Sequence, residues 1–464
     1  MFTTNAKEIE KELNDLCEAF YENKDEMPNI SHEQMLAGKL FNIITIDGQV
    51  SEFEDDMPTG SELKQKSLRK RCALRALYKA ISKKEGRTLP WGSFTGIRPT
   101  ALAREAVESG EIKEYAITEF LEREFLISHE KAVLANKIVK NQKGIIRNDH
   151  LVDFYVNIPV CPTRCGYCSF ISSELKAVQN LMPAYLQALI KEIRAMKKLI
   201  FDKTLIVRNI YVGGGTPTVL QPDELDLVLS ELSFPVNEFT VECGRPDTIT
   251  REKLDVLEKH GVTRICINPQ SFADATLKRI GRQHTRMQTF EAYSLALEKG
   301  FKVNMDIIIG LPGEKSATIK KTLNTLLELC PNNITVHTLS VKNGSVFKDE
   351  KPELGFKNLS KILTFAENQL MECGYKPYYL YRQKHQLGGL ENVGFFRDND
   401  ICQFNIDSME ETSSIIAVGA NAISKRIFSI EKHIERQPNV KFLPDYIQRI
   451  DEMIERKQKL FENV

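Results

Sequence analysis

Three cysteines crowd one short stretch, Val160-Cys161-Pro162-Thr163-Arg164-Cys165-Gly166-Tyr167-Cys168-Ser169-Phe170, with three residues inside the first pair and two inside the second. A tetrahedral zinc ion would need a fourth donor, which a distant residue could supply. The same three thiolates can instead cap three corners of a [4Fe–4S] cube and leave one iron open to a small molecule. Spacing alone leaves both readings open. A disulfide with a spare thiol fits poorly, because the opening MFTTNAKEIEKELNDL is charged and has no apolar segment of a secretion signal. The other cysteines (Cys17, Cys72, Cys243, Cys266, Cys330, Cys373 and Cys402) occur singly, as buried thiols of a cytosolic protein would.

The elements around this stretch alternate. A strand over 152–158 runs straight into it, followed by a helix over 181–200 with apolar residues on one face. Strands over 207–212, 239–242, 263–267, 301–309 and 334–339 follow, separated by helices near 223–231, 251–260, 273–279, 287–299 and 316–329. Six strands joined by helices predict a parallel α/β sheet curled into a partial (β/α)6 barrel. Chemistry in such sheets gathers at the C-terminal strand ends, where the βα loops converge. The cysteine stretch, a triglycine, Glu242 and Asp306 all fall at such ends.

Glycines in Gly213-Gly214-Gly215-Thr216-Pro217-Thr218 let backbone approach a ligand closely. Glu242 can accept from hydroxyl or ammonium groups, or else pair with Arg245. Gln270 follows the fourth strand, and Arg282 in Gly281-Arg282-Gln283-His284 can hold a carboxylate with two parallel bonds. His284 reads as a surface histidine. Asp306 is an acid in an apolar strand and needs a partner.

Residues 1–150 read as a separate α+β module. It has a charged helix over 8–21, a strand over 40–46 ended by Asp47-Gly48, and helices over 61–84, 101–109 and 116–143. Lys64, Lys66, Arg69, Lys70, Arg71 and Arg75 give the third of these segments a basic face, which suits a solvated surface better than a polyanion site. The loop Pro90-Trp91-Gly92-Ser93-Phe94-Thr95-Gly96-Ile97-Arg98-Pro99-Thr100 holds the single tryptophan and suits either a docking loop or a structural corner. Residues 151–340 form the barrel. Residues 341–464 form a mixed region expected to cover the substrate, with a helix over 357–372, a strand over 375–381, a strand-like 415–424 and an amphipathic helix over 445–461. Lysine plus arginine equals aspartate plus glutamate, 63 each, which disfavours nucleic acid as the main partner. No apolar run is long enough to span a bilayer, so a cytoplasmic protein without a membrane partner is expected.

In order, Tyr155, Ile158-Pro159, CPTRCGYCSF, GGGTPT, the Glu242–Arg245 segment, RICINPQSF, GRQH and DIIIGLPGE closely resemble the oxygen-independent coproporphyrinogen III dehydrogenase family of radical S-adenosylmethionine (SAM) enzymes over about 151–430. GSFTGIRPT, ENVGF and GANAISK resemble the branch of that family called HemZ. The resemblance implies that Cys161, Cys165 and Cys168 hold a [4Fe–4S] cluster. It implies that Tyr155, Gly214 and Glu242 contact the SAM bound to it. Tyr167, Gly215, Thr216, Gln270, Arg282 and Asp306 match positions around a second SAM, and Ile423 a further cofactor contact. It also implies a flavodoxin- or ferredoxin-like electron donor, a monomer, and conversion of coproporphyrinogen III or a related tetrapyrrole by oxidative decarboxylation of propionates. Arg382, Lys384 and Arg397 are candidates for the substrate's carboxylates. The family's fourth cysteine is Phe170 here, a usual histidine is Asn157, and Gly-Val-Gln is Asn268-Pro269-Gln270. Relatives lacking that cysteine act as heme chaperones, so a heme carrier with His284, His337 or His385 as ligand is the alternative.

Overall fold

The computed structural model describes residues 1–464 except 22–23, 143, 145–147, 169–172, 343, 351–357, 384–385, 429–432 and 463–464. The chain divides into two compact units, one of Met1–Lys140 with Leu380–Glu391, the other of Asn141–Tyr379 with Asn392–Val464.

In the first unit, strands β1 (Phe2–Thr4), β2 (Ile30–Leu36), β3 (Leu40–Ile46) and β4 (Gln49–Asp55) form a sheet in that order. The β3–β4 turn places Asp47 and Gly48 at φ 47° and 84°, the left-handed pair that matches strand twist in a two-residue hairpin. Burial alternates along β3, and its inward Ile44 and Ile46 pack on helices α1 (Glu10–Phe20) and α2 (Glu62–Glu85). Ser61 caps α2 by accepting from the Lys64 amide, and Gly86 ends it at φ 61°. Of the basic residues on α2, Arg71 pairs with Glu111 (2.8 Å) and Arg75 with Glu124 (3.2 Å) and Asp55, so these two serve the fold rather than a polyanion.

Helix α3 (Pro99–Glu108) follows. The single helix expected over 116–143 is two, α4 (Ile117–Phe125) and α5 (His129–Asn141), broken at Leu126 with φ 55°. The break has a cause in the tryptophan loop. Ser93 donates to the Phe125 carbonyl from its amide (2.7 Å) and its hydroxyl (3.0 Å). Gly92 lies so close that any Cβ would strike the carbonyls of Phe125 and Leu126. The loop is therefore a corner.

That corner also grips residues 380–391. Arg382, part-buried, donates to the carbonyls of Phe94 (2.6 Å) and Gly389 (3.1 Å) and lies over the Trp91 ring. It is a structural cation and not a carboxylate receptor. Trp91 Nε1 donates to Glu391 (2.6 Å), whose other oxygen meets Lys131; Glu391 is 0% and Lys131 2% exposed. Removing one partner of a buried pair leaves an uncompensated charge, so Glu391→Ala should cost about 3–5 kcal/mol, while Lys131→Met with Glu391→Leu should recover most of it. Urea denaturation followed by Trp91 fluorescence checks this.

The second unit carries the parallel sheet. Its elements run β5 (Leu151–Ile158), α6 (Met182–Asp202), β6 (Ile206–Gly214), α7 (Pro222–Ser230), β7 (Glu238–Glu242), α8 (Arg251–Lys259), β8 (Arg264–Cys266), α9 (Asp274–Arg279), α10 (Arg286–Glu298), β9 (Lys302–Ile309), α11 (Ser316–Leu329) and β10 (Asn333–Thr338). The six strands lie side by side in chain order and are all parallel, as the alternation predicts. After α12 (Leu359–Glu372) the chain adds strands at both edges. β12 (Asn392–Phe396) pairs antiparallel with β10, and β11 (Lys376–Tyr381) lies beyond it. Following α13 (Gln403–Glu410), β13 (Ser414–Val418) pairs parallel with β5, and β14 (Ile423–Phe428) and β15 (His433–Pro438) extend that edge. The sheet is thus an eleven-stranded open order around the six-stranded parallel core.

The terminal helix expected over 445–461 is two, α14 (Leu443–Gln448) and α15 (Ile450–Leu460), meeting at Arg449. Its inner face carries Lys457, 0% exposed, bonded to the buried Glu192 of α6 at 2.5 Å. Glu192 also accepts from Tyr446 (2.6 Å), Asn439 (3.0 Å) and the Gly419 amide (2.8 Å). No helix among the described residues is long and apolar enough to cross a membrane.

Candidate functional site

Exposure along the strands outlines one inner space. β9 and β10 are buried beyond their first residues except at Asp306 and His337, and β7 except at Glu242. Tyr155 on β5 and Gly214 on β6 are likewise only partly buried. These positions lie at or near the C-terminal ends of neighbouring parallel strands, where ligands of such sheets bind.

The cysteine loop leaves β5 at this end and is held by backbone contacts. Gly215 N donates to the Ile158 carbonyl (2.8 Å) and Thr216 N to that of Val160 (2.9 Å). A Cβ on Gly215 would lie 2.5 Å from the Val160 oxygen, and one on Gly214, at φ 109°, would strike the Asn157 side chain. The glycines are needed for that approach. Cys161 Sγ lies 3.4 Å from Thr216 Oγ1. Further along, Gly166 N donates to the Ile280 carbonyl (2.9 Å) and Cys168 N to that of Cys165 (3.0 Å). The segment Gly281-Arg282-Gln283-His284 is therefore a support for the loop. Gly281, at φ 77°, sits beneath the Arg164 carbonyl.

Glu242 is part-buried at the end of β7, beside β6. Tyr211 donates to one oxygen (2.7 Å) and the Gly214 amide to the other (3.0 Å). Burial nevertheless pushes its carboxyl up to about 7. Arg245 takes no part: it pairs with Asp247 (2.9 Å) and donates to Thr163 Oγ1 (3.1 Å) of the cysteine loop. Tyr211 was not singled out in the sequence. Its ring stacks on Phe404 at 4.3 Å and on Tyr155 at 6.0 Å, making an aromatic wall beside Glu242. Tyr155 donates to Asn157 Oδ1 (3.2 Å). The strand period could have found Tyr211, because the β5–β6 register places it opposite Tyr155.

Across the space, Arg282 Nη1 donates to the carbonyls of Gly244 (2.8 Å) and Asn268 (2.7 Å), and Nη2 to Tyr167 (3.2 Å). Gln270 adopts φ 65° because its amide and carbonyl bridge Asp306 and Ile308 of β9. Asp306 accepts from Asn304 (2.8 Å) and faces His337 at 3.4 Å. Buried polar atoms without partners line this side: Arg282 Nε, Asn268 Oδ1, Gln270 Oε1 and Asn304 Oδ1. Such atoms are costly unless a ligand or water completes them.

Other expectations need correction. His284 is 2% exposed, and its imidazole is held neutral, with a pKa lowered to about 3 by burial and then by Arg282. Arg397 precedes no strand end of the site: its amide bonds Asn332, before β10, and its guanidinium pairs with Asp398. Ile423 opens β14 half exposed, next to Ala422, which joins the cluster on which Tyr155 packs. Cys330 and Cys373 are exposed rather than buried. Phe170, Lys384 and His385 lie outside the described residues.

The donor set suits an iron–sulfur cube. Among the described residues no three His, Cys, Asp or Glu side chains converge to hold one metal ion. A cube makes no such demand, since each thiolate takes a different iron.

The radical SAM superfamily profile matches residues 155–326. Over 393 residues the chain is 40% identical to the oxygen-independent coproporphyrinogen-III oxidase-like protein HemZ of Bacillus subtilis, covering 82% of this chain and 78% of that protein. It is 32% identical over 200 residues to the heme chaperone HemW of the same organism, covering 42% of this chain and about half (52%) of the chaperone. Among solved structures it matches coproporphyrinogen III oxidase (HemN) of Escherichia coli with TM-score 0.53 and 23% identity, over 68% of this chain and 73% of that one; this likeness concerns the fold. The chain belongs to the radical SAM superfamily, whose cofactors, a [4Fe–4S] cluster and SAM, are its own. Within that superfamily it is a member of the oxygen-independent coproporphyrinogen-III oxidase-like proteins.

Because Gly215 touches backbone that cannot retreat, Gly215→Ala should lower stability by about 1–3 kcal/mol and reduce the iron retained per chain after reconstitution. An unmoved denaturation midpoint with full iron content would refute the role given to this contact.

Proposed function

We propose that this chain is a radical SAM enzyme that oxidatively decarboxylates propionate arms of coproporphyrinogen III, or of a closely related tetrapyrrole, to vinyl groups in heme biosynthesis. One observation carries the reading: the three thiols, the glycine triplet and Glu242 occupy the same ends of the adjacent strands β5, β6 and β7. Cys161, Cys165 and Cys168 hold the cluster. When bound and reduced by a flavodoxin- or ferredoxin-like donor, the cluster and SAM would supply a 5′-deoxyadenosyl radical to take one hydrogen atom from a propionate arm, with loss of carbon dioxide leaving the vinyl group and one electron for an external one-electron acceptor.

The chain's own residues orient and enclose. Glu242, anchored by Tyr211 and the Gly214 amide, keeps a carboxylate at the strand end to receive the methionyl ammonium or ribose hydroxyls of SAM. Gly214 and Tyr155 border the same molecule. Tyr167, Gly215, Thr216, Gln270, Arg282 and Asp306 serve a second SAM, a role supported by the partnerless Gln270 Oε1 and Arg282 Nε. The stacked rings of Tyr155, Tyr211 and Phe404 exclude water behind Glu242.

A porphyrin carrier that retains the cluster is the second reading, favoured by Phe170 in place of the family's fourth cysteine and by the similarity to heme chaperones. Anaerobic turnover of reconstituted protein with reductant, SAM and coproporphyrinogen III separates the two. Loss of two carbon dioxide units by mass spectrometry, with equivalent 5′-deoxyadenosine, is expected. Cys168→Ser should retain no intact cluster and give neither product. Deoxyadenosine without a porphyrin product would transfer the chemistry to another substrate, and stoichiometric heme binding without either product would favour the carrier.

Glu242 also predicts a pH dependence. Its carboxyl is neutral below about 7 and charged above it. SAM affinity should therefore rise with pH, falling about tenfold per unit below 7 as the carboxylate is protonated. Glu242→Gln should flatten that profile in equilibrium binding; a profile unchanged in the variant would exclude this role.

A further inference from the structure

β13 runs parallel to β5 with Val418 opposite Val156, so the turn that follows it, Gly419-Ala420-Asn421-Ala422, begins level with Asn157. Asn157 is 5% exposed, and its side chain bonds in two directions. Nδ2 donates to the Ala420 carbonyl (2.5 Å), and Oδ1 accepts from the Tyr155 hydroxyl (3.2 Å). The Ala420 carbonyl can only accept, which fixes the amide this way round. The same Oδ1 occupies the place where a Cβ on Gly214 would lie. Its backbone is held as closely. Tyr185 donates to the Asn157 carbonyl (2.6 Å), and a Cβ on Gly419, at φ 99°, would strike that oxygen.

The turn is itself clamped from behind. Its Gly419 amide donates to the buried Glu192 (2.8 Å), and its Gly419 carbonyl accepts from Asn439 (2.7 Å). The Asn421 amide donates to the Val440 carbonyl, and the Asn439 amide to that of Ala422, both at 2.8 Å. Glu192 is kept by Tyr446 of α14 and Lys457 of α15. A continuous line of buried hydrogen bonds therefore runs from the C-terminal helices through Glu192, the turn and Asn157 to the Tyr155 hydroxyl. Networks of this kind stiffen as a unit, because each broken bond strands a buried partner.

We propose that Asn157 is a positioning residue for SAM, carrying the order of the Gly419–Ala422 turn, and of the Glu192 clamp behind it, to the Tyr155 hydroxyl and the backbone of Gly214. The inference rests on the reading that SAM borders Tyr155, Gly214 and Glu242. Asparagine suits the part because one amide both donates and accepts. Through Glu192 the helices α14 and α15 gain a share in cofactor binding.

The test is equilibrium binding of SAM to the cluster-loaded full-length protein, kept oxidised so that nothing turns over, at a pH above about 7 where Glu242 is charged. Asn157→Leu keeps the shape and removes both bonds, and it should weaken SAM binding about tenfold, equivalent to about 1.4 kcal/mol. Because Asn157 acts through the Tyr155 hydroxyl, the losses of Asn157→Leu and Tyr155→Phe should fall short of adding in the double variant. Coupling is reciprocal, so saturating SAM should slow hydrogen exchange at the Gly419 and Asn421 amides of the wild-type protein. Additive losses, an unmoved affinity in Asn157→Leu, or exchange in the turn indifferent to SAM would each overturn the proposal. Should Asn157→Leu lose its fold or its iron, the wild-type exchange result decides alone. Glu242→Gln separates this proposal from the reading beneath it. If Glu242→Gln alone weakens SAM, only the role of Asn157 falls; if neither substitution does, SAM lies elsewhere and both fall.

Discussion

The site hangs on one part-buried carboxylate. Glu242 ends β7 in a space where an unpaired charge would be untenable, and it is kept by two donors from β6, the Tyr211 hydroxyl and the Gly214 amide. The second of these requires Gly214 at φ 109°, packed where any side chain would strike Asn157 of β5. Three consecutive strands are thus locked together at their C-terminal ends by one side chain and one amide. Desolvation raises the carboxyl toward neutrality, because its hydrogen bonds only partly offset the loss of water.

The cysteine loop depends on the same locking. It contributes little apolar surface of its own, so its shape comes from backbone bonds to segments far away in sequence: Ile158 and Val160 to the glycine triplet, Gly166 to Ile280 and to Phe347. Glycine recurs at each point of close approach, at 166, 214, 215 and 281, because backbone must meet backbone or a ring there. A loop braced in this way presents its three thiols from a fixed frame, which is what a site-bound cluster requires.

Charge in this chain is used largely for structure. With 63 cations balanced by 63 anions, several of each sign are withdrawn from water: Glu391 with Lys131 in the first unit, Glu192 with Lys457 in the second. Arg382 spends its donors on carbonyls. Such groups specify which segments meet more than they add to net stability, because their desolvation opposes the attraction.

By itself the sequence determined the local events. The alternation of strands and helices, the thiol spacing, the glycine triplet and the acids at strand ends all follow from short-range pattern, and the six parallel strands appear in the predicted order. The breaks at Leu126 and Arg449 were not legible, because an apolar helical period continues through them; a distant loop or a packing partner decides where such a helix stops. Roles of single polar side chains were the least legible. Arg282, Arg382 and Arg397 look alike in a sequence, yet one braces Tyr167, one donates to carbonyls and one pairs at the far end of the strands. Phe404 became visible only when the fold stacked it on Tyr155 and Tyr211 beside Glu242. Spacing along the chain fixes which residues can share an element, whereas the partner a charge finds depends on contacts between segments hundreds of residues apart, and only the tertiary structure makes those.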